Sequence, residues 1–119
     1  MGKPDLNAEF NGYTGTEGYH FHPLGIQLTD GAKAVADKLK CYWLMDLIAS
    51  YQPRCMKDRM LCAIQFWCVT VEEDHSASVA CNRDEDDTAF VQEVEHTTLP
   101  MGALRLWVQD GVVLLPSEY

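Results

Sequence analysis

The feature that most constrains this chain is a change of hydrophobic period near residue 60. Before it, apolar side chains recur at intervals of three and four; after it, they alternate with polar ones. Such a chain forms helices first and a sheet afterwards, around one core. Ala32, Val35, Ala36 and Leu39 share a helical face, with Lys33, Asp37, Lys38 and Lys40 elsewhere. Thr29-Asp30-Gly31 supplies N-cap candidates ahead of them. A second helix is predicted over Tyr42–Tyr51, where Trp43, Leu44, Leu47, Ile48 and Tyr51 make one broad face and Pro53 ends it.

Beyond residue 60, Met60–Val71 is apolar on both faces and predicts a covered central strand. Ser76–Asn82 sets Ala77, Val79 and Cys81 against Ser76, Ser78 and Asn82. Phe90–His96 and Ala103–Gln109 continue the alternation, with Leu104, Leu106 and Val108 on one face. Asp110-Gly111 marks a type I′ hairpin into Val112–Leu115, and Pro116 stops it. The expected fold is α+β: two N-terminal helices packed on a four- to five-stranded antiparallel sheet. It forms one domain of 119 residues, with an arm over 1–25, helices over 30–52 and the sheet over 60–116.

Charge narrows the partners. Residues 1–60 carry seven basic and seven acidic side chains, so the net −9 belongs entirely to residues 61–119. Nucleic-acid affinity rests on Lys and Arg neutralising phosphates, so direct binding to DNA or RNA is not expected. No apolar run approaches the ~20 residues of a membrane span. The N-terminus has no secretory pattern, and Leu6 rules out the myristoylation motif that Gly2 suggests. The five cysteines are odd in number and include no Cys-x-x-Cys pair, which suits free thiols in the reducing cytosol.

Three segments, Tyr13-Thr14-Gly15-Thr16-Glu17-Gly18-Tyr19-His20-Phe21-His22-Pro23-Leu24, Leu28-Thr29-Asp30-Gly31 and Tyr42-Trp43-Leu44-Met45-Asp46-Leu47-Ile48-Ala49, stand out together with the closing Leu115-Pro116-Ser117-Glu118-Tyr119. With these motifs the chain resembles an uncharacterised family of small proteins from bacterial genomes and mobile elements. The resemblance implies a compact cytosolic protein with a role in phage or plasmid biology, and carries no catalytic residues. Family members tend to have a small residue before the Tyr-Trp pair, where this chain has Cys41 after Lys40.

Several constellations compete as sites. The acidic runs Glu72-Glu73-Asp74 and Asp84-Glu85-Asp86-Asp87 fall at predicted strand ends, where hairpin geometry is expected to gather them at one edge. They serve either as solvated charge or as carboxylates replacing phosphates before a basic protein. Trp107 runs out of phase with Leu104, Leu106 and Val108, so a helix covers it or it anchors a contact; Trp67 reads as core. His20 and His22 would share a strand face as two metal ligands, with His75, His96, Glu17 or Asp30 completing a site; the alternative is that they anchor the arm by hydrogen bonds. Cys41, with Lys38 and Lys40 beside it, is the one candidate nucleophile, against a plain packing role.

The expectation is therefore a non-enzymatic acidic protein-binding module without a cofactor, contacting a basic protein through Glu72, Glu73, Asp74, Asp84, Glu85, Asp86, Asp87 and Trp107. Its sharper form is an anti-CRISPR-like inhibitor, a nucleic-acid mimic from a phage or mobile element. A small metal protein or enzyme using His20 and His22, and a homodimer joined through an unpaired sheet edge, are the competing readings.

Overall fold

A computed structural model describes residues 4–119; Met1, Gly2 and Lys3, and with them the lipidation question, lie outside the described residues. The chain forms β1 (Tyr19–Phe21), β2 (Gln27–Thr29), α1 (Asp30–Lys38), α2 (Tyr42–Ser50), α3 (Gln52–Cys55), α4 (Arg59–Ala63), β3 (Gln65–Val71), β4 (Ala77–Asp84), β5 (Asp87–Val94), β6 (Gly102–Gln109) and β7 (Val112–Leu114). One-turn 3-10 helices cover Ala8–Phe10 and Pro116–Glu118. None of the helices is long and apolar enough to cross a membrane.

The α+β character stands, but the expected architecture does not. Among the described residues there are four α-helices, and the sheet has seven strands in the order β1-β2-β7-β6-β3-β4-β5. It is mixed, because β2 runs parallel to β7 through Gln27↔Val112 and Leu28↔Val113. The segment expected as an arm supplies β1, and β2 follows just beyond it; at three residues each they are too short to show a period. The apolar stretch from Met60 begins as helix: the Asp58 carboxylate accepts from the Met60 and Leu61 amides and caps α4, so the strand starts only at Gln65. Pro53 does not close the helical region, because it occupies the first turn of α3, where its missing N–H costs nothing.

The other predicted elements form with small shifts in their ends. The Thr29 hydroxyl accepts from the Ala32 amide (3.1 Å) and caps α1. Asp110 and Gly111 both take positive φ (54° and 76°), as the type I′ turn between β6 and β7 requires. The helices cover one face of the sheet. Onto it project Trp67, Val69, Val71, Val79, Cys81, Leu104, Leu106, Val108 and Val113, meeting Val35, Leu44, Met45 and Ile48. Burying each aliphatic side chain there contributes roughly 1.5–3 kcal/mol.

Strand β7 is short, and the N-terminal segment takes over the edge it leaves open on β6. The Ala103 amide donates to the Pro4 carbonyl (2.9 Å), and the Leu6 amide donates to the Ala103 carbonyl (2.8 Å). The Asn7 side chain then mimics a peptide unit: its amide donates to the Arg105 carbonyl (2.9 Å) and its oxygen accepts from the Arg105 amide (2.7 Å). Gly102 permits this approach, with φ of 149° and the Pro4 carbonyl oxygen 2.6 Å from where a Cβ would sit.

Candidate functional site

Among the described residues, the sheet face opposite the helices carries no helical layer, and its side chains are half-buried or exposed. Alternation along the strands sends Phe66, Cys68 and Thr70 of β3, and Ala103, Arg105 and Trp107 of β6, to that side. Register pairs Phe66 directly with Trp107 and Cys68 with Arg105. The Phe66 and Trp107 rings meet edge-to-face at 5.1 Å, and Tyr119 also packs against Trp107 at 5.1 Å. Trp107 is thus half-buried against two rings. Phe66, Cys68, Asn82, Asp84, Glu85, Arg105 and Trp107 line an open groove of about 400 Å³.

This groove unites Trp107 with Asp84 and Glu85, but not with the other acidic run. Consecutive antiparallel hairpins place successive turns at opposite ends of the shared strand. Glu72, Glu73 and Asp74 lie in the β3–β4 turn, while Asp84–Asp87 spans the β4–β5 turn at the far end of β4. Eight residues at ~3.3 Å each separate them by on the order of 25 Å, so the runs do not share one edge. The groups also differ in their partners. Arg83 donates to Asp58 (2.7 Å) and Asp87 (2.9 Å), and this cation holds the Asp58 carboxyl below its usual range. Among the described residues Asp84, Glu85 and Asp86 have no ion-pair partner. Asp74 is engaged by the Ser76 hydroxyl and amide.

The two histidines diverge. The His20 Nε2 meets Asp30 at 2.8 Å, and that bond, followed by one from the Glu17 amide, holds the Asp30 carboxyl below its usual range. The His22 Nε2 meets Asp46 at 2.6 Å, while its Nδ1 accepts from the Leu24 amide (3.1 Å), an arrangement that assigns the proton to Nε2. One imidazole therefore ties the β1 region to the start of α1 and the other ties it to α2. His75 and His96 face each other at 5.8 Å elsewhere. Among the described residues no three His, Cys, Asp or Glu side chains gather around one point. Cys41 is fully buried, its thiol directed at the Val35 carbonyl (3.7 Å), and burial pushes its pKa up to about 12, the reverse of what a nucleophile needs.

Much of the motif set belongs to one structural corner. The Glu118 carboxylate accepts from the Thr29 hydroxyl (2.6 Å), the Gly31 amide (3.1 Å) and the Leu115 amide (2.9 Å). It thereby neutralises the positive end of α1 and fastens residues 115–118 to it. Gly31 lets them approach closely: a Cβ there would lie 2.6 Å from Glu118 Oε1 and 2.8 Å from Leu115 Cδ1 and displace both side-chain ends. The Thr16 hydroxyl completes the corner by accepting from the Asp30 amide (2.9 Å). Thr16, Thr29, Asp30, Gly31 and Glu118 are therefore architectural residues.

Sequence reasoning missed Phe66, Asn82 and Arg105 as groove residues. Reading Met60–Val71 as apolar on both faces hid the open side of β3; the signal lay in Phe66, Cys68 and Thr70 alternating with Trp67, Val69 and Val71. No curated protein and no solved structure matches the chain. The model of a family of unknown function, DUF6876, matches residues 4–119, and the chain belongs to that family.

Proposed function

We propose that the protein is a non-enzymatic binding module whose open sheet face holds a basic protein partner. The observation that carries this reading is the groove in which Trp107 and Phe66 stand beside Asp84 and Glu85. Half-exposed aromatics give a contact its anchor, and carboxylates at the rim select for Lys and Arg. The confinement of the whole net charge to residues 61–119 supports the same partner chemistry. In its sharper form the module is a cytoplasmic inhibitor from phage or mobile-element biology. Its carboxylates then occupy the place of DNA or RNA phosphates on a nucleic-acid-binding complex.

The test is capture from bacterial lysate by the native chain, by Trp107→Ala and by the double variant Asp84→Asn/Glu85→Gln. A partner with a basic surface, retained by the native chain, weakened by both variants and released by salt, upholds the reading. Equal retention by all three chains overturns it.

A further inference from the structure

Strand β5 is an outer strand of the sheet, and its outward backbone is open. In the β3–β4 hairpin the Glu72 amide donates to the Ser76 carbonyl (2.8 Å), which makes 72 and 76 a hydrogen-bonded pair. Counting by twos along the register turns Ser78, Ala80 and Asn82 toward β3, and Ala77, Val79 and Cys81 toward β5. Their partners Val94, Gln92 and Phe90 therefore use their N–H and C=O groups inward, and Val91 and Glu93 direct theirs outward. Consistent with this, the Glu93 carbonyl accepts from the Gln92 side chain (3.0 Å). Among the described residues the N–H and C=O of Val91 and the N–H of Glu93 have no partner.

Sheets protect such an edge with Lys, Pro, a bulge or a covering segment. From Asp87 to Val94 there is no Lys, Arg or Pro, and the register shifts of the β4–β5 pair lie at its turn end, between Cys81 and Asp84. The surroundings are strongly negative: positions 84–95 hold six Asp or Glu and no Lys or Arg. The nearby cations are already engaged, Arg83 by Asp58 and Asp87, and Arg54 over the Phe90 ring at 4.4 Å on the helix side. A second copy of the chain, paired edge to edge, would set six carboxylates against six, so charge rejects the homodimer at this edge.

We infer that β5 receives an extended, Lys- or Arg-bearing segment of the partner protein as an eighth strand. Main-chain bonds form at Val91 and Glu93; on the open face an apolar side chain lies beside Val91, half exposed and paired with Ala80, and a cation beside Glu93. The inference rests on the proposed basic partner and adds how that partner's chain is held.

The probe is a capped hexapeptide, Thr-Lys-Thr-Val-Thr-Lys, whose valine and lysines share one strand face, titrated into the isotopically labelled full chain and followed by amide shifts and hydrogen exchange. The expected result is binding that slows exchange at Val91 and Glu93. Val91→Pro removes only an outward N–H, which an edge strand tolerates, and weakens binding by about tenfold through lost main-chain bonds. Glu93→Lys, which keeps the backbone, weakens binding as well. A peptide N-methylated at its valine and lysines, equal in charge, binds at least as weakly as the Pro variant. The inference is overturned if the native chain does not bind the peptide, if N-methylation leaves affinity unchanged, or if both variants bind like the native chain. Trp107→Ala separates the two readings: peptide binding survives it if β5 is the site, whereas a lysate partner lost with Trp107→Ala but kept with Val91→Pro leaves the groove reading standing alone.

Discussion

The two faces of this sheet are built from alternate residues of the same strands, and they serve opposite ends. On the helix side Trp67, Val69, Val71, Leu104, Leu106 and Val108 are at most 1% exposed. The polar group admitted there, Gln65, is held by Gln52 and accepts from the Trp67 indole N–H (2.9 Å). On the open side Phe66, Cys68, Thr70, Arg105 and Trp107 mix rings, a thiol, a hydroxyl and a cation, and none is fully buried. A closed face can be apolar throughout because it contacts only its own chain. The open face faces solvent and keeps polar character beside its aromatics. Under the proposed function, stability and recognition fall to different side chains of one strand, and each can be altered without the other.

The largest effect should come from the closed face. Leu106→Ala is expected to cost about 2–5 kcal/mol in urea unfolding, through lost burial and a residual cavity. Next is the corner that fastens the last residues: Glu118→Ala strips the acceptor from the Thr29 hydroxyl and the Gly31 and Leu115 amides, at about 1.5–3 kcal/mol for charge-assisted bonds. Trp107→Ala, on the open face, should cost about 1–2.5 kcal/mol, from partial burial and two ring contacts, while partner retention falls sharply. A loss comparable to Leu106→Ala would make Trp107 a core residue and erase the contrast between faces.

Acid titration should give a smaller, signed effect. The Asp58 carboxyl, depressed chiefly by Arg83, contributes stability that is full above the ordinary Asp value of about 3.9 and is lost as pH falls through its lower folded value. Asp58→Asn keeps an N-cap for α4 and loses only the ion pair, so its stability should fall less steeply below pH 4. The smallest effect is expected for Asp84→Asn/Glu85→Gln, within about 0.5 kcal/mol of native, because neither group holds a folded-state ion pair.

Legibility in the sequence followed element length. The faces of β4 and β6, the Asp110-Gly111 turn and helices α1 and α2 were readable, because eight or nine residues give a period room to repeat. Strand β7, with three residues, was readable from the turn before it, whereas β1 and β2, equally short, are defined by what they pair with, and the parallel contact of Gln27 with Val112 leaves no local trace. Helix α4 was readable only through Asp58 as a cap, and the neighbouring apolar residues masked it. At the site, Trp107 was found by its phase, whereas Phe66 and Arg105 belong to it through cross-strand register. Proximity in sequence suggested that the two acidic runs cooperate, and the geometry of antiparallel hairpins separates them.

The attachment of residues 4–7 to β6 and of residues 115–118 to α1 has a consequence for the order of events during synthesis. Asn7 bonds to Arg105 across 98 residues, and Glu118 reaches back 89 residues to Thr29. Until residues 102–118 have left the exit tunnel, β2 has no neighbour in β7 and β6 is absent from the centre of the sheet. The emerging chain holds its helices and the β3–β5 meander, with their apolar sides open to solvent. Native closure must therefore wait until residue 118 clears the exit tunnel, and slow, non-local pairing of this kind exposes a nascent chain to aggregation and chaperone capture.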